Sequence, residues 1–268
     1  MQRAQALNPE AVKHWFDLVE ELVVNTGIKK EDIYGMDESG FPPADQGKSK
    51  VVGARGTKTQ HKQGGADREN VTAIVTICAD GTSLRPTIIF KGQGFTDICH
   101  SPKGWTDAEI AMEWMVKDFD AQTRDKAEGR TRVLLLDGHS SHYTPELLEY
   151  ARDQNIMILG YPPHCTHALQ GLDVVCFARM KEAWKQVINE FETLHRAQVT
   201  KGDFTSLFGR AYRRAFTKET IEAAFKATGV YPFDRTVITA KQMKPSEATS
   251  VKGQFAVAWT SPVRAIMT

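Results

Sequence analysis

Apolar residues in this chain fall into short strand-sized runs in the middle and helical stripes towards both ends. Residues 9–26 put Val12, Trp15, Phe16, Val19, Leu22 and Val23 on one side of a predicted helix, with Gly27 as a suitable stop. Ile33-Tyr34-Gly35-Met36 reads as a first strand, closed by Asp37. A basic, glycine-rich stretch at 40–65 reads as a loop or irregular hairpin. The run 71–77, a turn at Ala79-Asp80-Gly81 and the run 86–90 then form a strong hairpin signal. Residues 106–119 predict a helix that buries Ile110, Trp114 and Met115. Val133-Leu134-Leu135-Leu136 is continuously apolar, as expected of a strand buried on both faces. A helix at 145–154 and a strand at 156–161 follow.

From 172 to 192 the pattern is helical again, with Phe177, Met180, Trp184, Val187, Ile188 and Phe191 on one face. Asp173 lies near the middle of that stripe. Two more helices span 203–228, separated near Thr217 and ended by Gly229. Residues 240–268, rich in Lys, Ser, Thr and Pro, read as a poorly ordered tail. The order β-β-β-α-β-α-β-α predicts an α/β fold containing an antiparallel hairpin.

Composition adds exclusions. With 268 residues, 41% apolar and 25% charged, the chain matches an ordinary globular protein with ample core. No apolar run approaches a membrane span, and the start MQRAQALNPE has no apolar signal core, so neither insertion nor secretion is expected. Cys78, Cys99, Cys165 and Cys176 form no CxxC pair and fit free thiols in a reducing compartment. Net charge is only +1, but its distribution is uneven. Lys48, Lys50, Arg55, Lys58, Lys62 and Arg68 crowd one segment against the single acid Asp67. A second group, Arg210, Arg213, Arg214 and Lys218, surrounds a predicted helix end. Solvated faces are the ordinary reading of such groups.

Three aspartates stand where packing alone does not call for a carboxylate: Asp37, Asp137 and Asp173. The first two end predicted strands, and ligands in open α/β sheets bind beyond the carboxyl ends of strands. The third lies on a core-facing stripe, where a carboxylate is costly unless compensated. Taken singly, each would serve as a turn or helix cap. Together they would repel, and a shared divalent cation is the economical resolution. His164, Cys165, His167 and Cys176 match no standard zinc spacing and read as incidental loop residues. Trp105, Trp114 and Trp184 read as core aromatics.

The motifs MDESGF, LLLDGHSSH and YPPHCTHALQGLD, in that order, resemble the DDE transposases of the pogo and Tigger group in the mariner superfamily. Endonuclease-like domains such as those of the centromere protein B and jerky relatives look similar. Thirty-five residues separate Asp137 from Asp173, and the resemblance runs over residues 8–238, including GWTD at 104–107 and TGVYPFD at 228–234. It implies a ribonuclease H-like mixed sheet flanked by helices, with a helical C-terminal extension. The catalytic domain would then occupy residues 1–239. The resemblance also implies that Asp37, Asp137 and Asp173 are the catalytic acids and hold two magnesium or manganese ions. Glu38, His139, His142 and Gln170 would flank them. Gly171 stands where the family has proline, which loosens the start of the helix that carries Asp173. Lys48, Lys50, Arg55, Lys58, Lys62, Arg68 and Lys181 would contact DNA. The implied reaction is DNA strand cleavage and transfer in the nucleus, with DNA as partner and a homodimer allowed. Relatives carry helix-turn-helix modules upstream, so a chain beginning this close to the catalytic domain reads as truncated or domesticated. A non-catalytic nuclear DNA-binding protein and a ribonuclease H-like nuclease acting on RNA are the competing expectations.

Overall fold

A computed structural model describes residues 6–42, 71–91, 99–101, 108–138 and 143–247. The predicted basic loop lies almost wholly outside these ranges. Helix α1, Pro9–Val19, starts where Asn8 Oδ1 accepts from Ala11 N–H at 2.9 Å, with proline in its first turn. It buries Val12, Trp15, Phe16 and Val19, then widens into a π turn at Glu20–Val24 that seats Val23.

Among the described residues six strands make one sheet: β1 Ile33–Phe41, β2 Val71–Cys78, β3 Thr87–Lys91, β4 Cys99–Ser101, β5 Arg132–Leu136 and β6 Ile156–Gly160. Their order is β4-β3-β2-β1-β5-β6. The β1–β2 and β2–β3 pairs are antiparallel, and the β1–β5, β5–β6 and β3–β4 pairs are parallel. The antiparallel pairs therefore lie in the middle of the sheet, with the parallel β1-β5-β6 strands on one side and the short parallel β4 at the opposite end. Strand β4 has only three residues and no alternation that a pattern reading could find.

Alternation along the strands divides the apolar side chains between two layers. Ile33, Val75, Ile77, Val133, Leu135 and Leu159 face α1, α5 Thr166–Leu169, α6 Phe177–His195, α7 Lys201–Ala215 and α8 Lys218–Thr228. Tyr34, Met36, Ile74, Leu134, Leu136 and Ile158 face α2 Ala108–Trp114 and α4 Pro145–Asp153. Between α2 and α3, Ala121–Ala127, a π turn at Met115–Asp120 makes this helical segment longer than the pattern predicts. Trp114 and Trp184 are both core aromatics, as expected.

Strand β5, which leads to Asp137, is pinned at its start. Arg132, buried, donates to Asp120 Oδ1 at 2.7 Å, Thr123 Oγ1 at 2.9 Å and the Gln154 carbonyl at 2.6 Å. Asp120, also buried, accepts from Arg124 and from Tyr150 Oη at 2.8 Å. Burial alone would raise its pKa, but these donors outweigh burial and hold it below the ordinary carboxylate value. A buried ion pair this well bonded fixes α3 and α4 against the base of the strand.

Thr217 caps α8, and Gly229, in the left-handed conformation at φ 71°, ends it. Beyond it the chain returns to α1: Arg235 bridges Asp17 at 2.6 Å and also pairs with Glu20, and Phe233 meets Phe16 edge-on. The tail expectation needs correcting in part, because Ala240–Glu247 forms a helix, α9. The Gln242 side chain accepts from both the backbone N–H and the hydroxyl of Thr239 at 2.9 Å, and Met243 packs on the core. Residues 248–268 lie outside the described ranges.

Candidate active site at the carboxyl ends of the parallel strands

Strands β1 and β5 run parallel with Ile33 opposite Val133, Tyr34 opposite Leu134 and Gly35 opposite Leu135. Two residues further in the same register, Asp37 comes beside Asp137, the first residue past β5. Asp37 does not close its strand, as the pattern suggested. It sits in the middle of β1, because β2 goes on pairing as far as Phe41 opposite Val71. The parallel neighbour ends at Leu136 while β1 continues, so the carboxylate lies where the sheet opens beside it. This is the carboxyl-end position at which open α/β sheets bind ligands.

Two side chains hold β1 on either side of Asp37. Gln170, 2% exposed, donates Nε2 to the Met36 carbonyl at 3.2 Å. Trp184 donates Nε1 to the Pro42 carbonyl at 2.9 Å. Asp37 Oδ1 accepts from the Glu38 N–H at 2.8 Å. Glu38, the next residue, alternates onto the other face of the strand.

Asp173 differs from the pattern expectation. It is exposed, while Phe177, Met180 and Trp184 are buried. The cause is a π turn at Leu172–Cys176 immediately before α6. One extra residue in the turn rotates everything before it by about 100° relative to a continuous α-helix. Leu172, 1% exposed, takes the core position in front of Phe177. Asp173 swings onto the side of Ala178 and Lys181, both exposed. The carboxylate thus avoids the cost of the core while the apolar stripe stays intact.

Gly171 also departs from expectation. It is helical at φ −61° and ψ −31°, and it is tightly packed. A Cβ there would meet the Ala224 carbonyl oxygen at 2.9 Å and its carbon at 3.0 Å. The residue admits α8 against the Asp173 turn and does not loosen it.

Electrostatics tie the three acids together. The Asp37 carboxyl is pushed well above its ordinary pKa, first by burial and then by the charge of Asp173. The Glu38 N–H opposes this, while Asp137 and Glu38 add to it. The Tyr161 hydroxyl is pushed up as well, by burial and by the charges of Asp37 and Asp173. Its ring meets that of Trp15, on α1, at 4.9 Å and a tilt of 38°. Among the described residues, no three His, Cys, Asp or Glu side chains stand together as a ready-made metal cage.

His139, His142, Lys48, Lys50, Arg55, Lys58, Lys62 and Arg68 lie outside the described residues. Cys165 and Cys176 are buried in the apolar core, apart from exposed His164 and His167. Two residues that the pattern did not single out belong to the site. Tyr143 donates its hydroxyl to the Asp137 carbonyl at 2.9 Å, and Gly160 lies directly beneath that hydroxyl. The only sequence signal was a tyrosine two residues before a proline-led helix, and it names no partner.

Comparisons with known proteins identify the family and the fold. The chain is 33% identical over 230 residues to a protein of Cochliobolus lunatus named MFS-type transporter clz9, a match covering 80% of this chain and 25% of that one. Among the described residues no helix is long and apolar enough to cross a membrane. It is 27% identical over 132 residues to the mouse (Mus musculus) pogo transposable element with KRAB domain, covering 46% of this chain and 21% of that one. The chain thus spans a quarter or less of these curated relatives. In three dimensions it resembles the mariner Mos1 paired-end complex with Mg, with a TM-score of 0.57 at 13% identity, over 91% of this chain and 63% of that one. That likeness carries the ribonuclease H-like fold. Residues 68–225 match the family described as DDE superfamily endonuclease, a stretch that includes Asp137 and Asp173 but begins after Asp37. The chain therefore belongs to the DDE superfamily endonuclease family.

Proposed function

We propose that this domain cuts and joins DNA strands, with Asp37, Asp137 and Asp173 as its catalytic acids. The observation that carries the reading is geometric: the parallel register of β1 and β5 brings Asp37 beside Asp137 where the sheet opens, and the nearby charge of Asp173 adds to the cost of charging Asp37. Three hard oxygen donors of like charge suit magnesium or manganese, and a cation would restore Asp37 to its charged form. A pair of such ions, when bound, supplies Lewis-acid stabilisation to the attacking and leaving oxygens of a phosphodiester. A solved neighbour of the same fold contains Mg.

The chain's own residues do the rest. Gln170 fixes the backbone before Asp37, and the π turn presents Asp173 to the opening. Lys181, on the same exposed side of α6, meets the DNA backbone together with Lys48, Lys50, Arg55, Lys58, Lys62 and Arg68. His139 and His142, just past Asp137, orient a phosphate, and Glu38 adjusts the charge at Asp37. Residues 1–239 form the working domain, and chromosomal DNA as substrate assigns it to the nucleus.

The test is nicking of supercoiled DNA in magnesium. Wild type should convert supercoiled circles to open ones, and Asp137→Asn should reduce the rate by about 10²–10³-fold or more while leaving the fold intact. Wild type that binds DNA but does not nick in magnesium or manganese would replace this reading with that of a domesticated binding protein.

A further inference from the structure

Beside the three acids, one hydroxyl contact fixes the backbone of the second. The β5–β6 ladder ends with Tyr161 N–H donating to the Leu136 carbonyl at 2.9 Å. The next carbonyl, that of Asp137, accepts from the Tyr143 hydroxyl, also at 2.9 Å. Tyr143 is itself anchored. The next residue, Thr144, caps α4 by accepting from Leu147 N–H at 3.3 Å, so the ring is held at the start of a rigid helix. Its other support is Gly160, the last residue of β6. A Cβ on Gly160 would lie 2.6 Å from the tyrosine oxygen and 3.4 Å from the ring carbon that bears it. The hydroxyl therefore occupies the space a side chain at 160 would fill, and only glycine admits it there.

We propose that Tyr143 is a positioning residue for the metal-dependent reaction, seated on Gly160 and setting the direction of the Asp137 carboxylate through the peptide that follows it. The inference rests on the reading of Asp137 as a metal-holding acid. Asp137 lies just beyond the ladder, where strand pairing no longer fixes its dihedral angles. A hydrogen bond to its carbonyl takes over that constraint. Partners one step behind a metal-holding group commonly contribute 10–100-fold to metal affinity or activity, which is the magnitude expected here. The hydroxyl does not touch the reacting atoms. Its effect is on how well Asp137 is pointed.

The experiment compares wild type, Tyr143→Phe, Gly160→Ala and the double variant, each as the full chain. Manganese affinity is read by calorimetry without DNA, nicking rate by conversion of supercoiled circles, and stability by thermal melting without metal. Tyr143→Phe keeps the ring and removes only the hydroxyl, so metal affinity and nicking should each fall about tenfold or more, with the metal-free melting point nearly unchanged. Gly160→Ala should reproduce the losses of metal affinity and nicking by displacing the hydroxyl, with a lower melting point from the overlap at 2.6 Å, and in affinity and rate the double variant should be little worse than either single one, because both act through one contact. Tyr143→Phe with wild-type metal affinity and rate overturns the inference. So does a Tyr143→Phe variant that merely melts earlier. Wild type that takes up no manganese and does not nick overturns the functional reading, and the inference with it. Wild type that is active beside an equally active Tyr143→Phe overturns the inference alone.

Discussion

Asp37 is a side chain on which charge is costly, and that cost has a sign. Its folded pKa lies above the unfolded value. As pH rises past the ordinary carboxylate range, the unfolded chain gives up this proton first, so the metal-free fold loses stability with rising pH at this site. Asp37→Asn removes the penalty. Without metal, its melting point at pH 7 should exceed that of wild type by about 2–4 °C for each kcal/mol of charge strain relieved, and the difference should shrink towards pH 4. With magnesium the order should invert, because wild type gains a bound ion and the variant gains little. Melting curves across pH, with and without magnesium, check both halves. All three acids were legible in the sequence, because a carboxylate after an apolar run or on an apolar stripe is conspicuous. Tyr143 and Gly160 were not. Their importance lies in contacts across six and seventeen residues of chain, to which no spacing rule applies.

The helix that carries Asp173 shows where periodicity misleads. A strict 3.6-residue reading put the aspartate on the core stripe, whereas the π turn puts Leu172 there and brings Asp173 out. Nothing in the composition of Leu172–Cys176 announces an extra residue in the turn. The apolar face is preserved on either reading, so only the aspartate reveals the difference. Gly171, at the start of this element, is open to a clean test. Replacing it with alanine gains up to about 1 kcal/mol of helix propensity. It also drives a methyl group into the Ala224 backbone, which cannot rotate away, and overpacking of this kind costs about 1–3 kcal/mol. The clash should win, and Gly171→Ala should lower stability by about 1–2 kcal/mol in urea unfolding. A gain in stability would show that α8 yields at no cost.

For the molecule as a whole, the alternation of strand and helix signals was enough to predict an α/β fold with an antiparallel hairpin, and the mixed sheet came only with the family resemblance. Buried strands announce themselves by continuous apolar runs, and helices by stripes. The links that close the fold are polar and distant in sequence, and were illegible for that reason. Arg132 locks two helices to the base of β5, and Arg235 ties the C-terminal segment back to α1. The most direct measurement is a crystal structure of the full chain in manganese, with the ions located by anomalous scattering. Manganese peaks should lie among Asp37, Asp137 and Asp173, with carboxylate oxygens of all three at about 2.0–2.2 Å, close to the octahedral magnesium distance. A clean map in which any of the three carboxylates makes no contact with an ion, or in which no ion lies at this edge of the sheet, would refute the assignment of these acids as the metal-holding catalytic group.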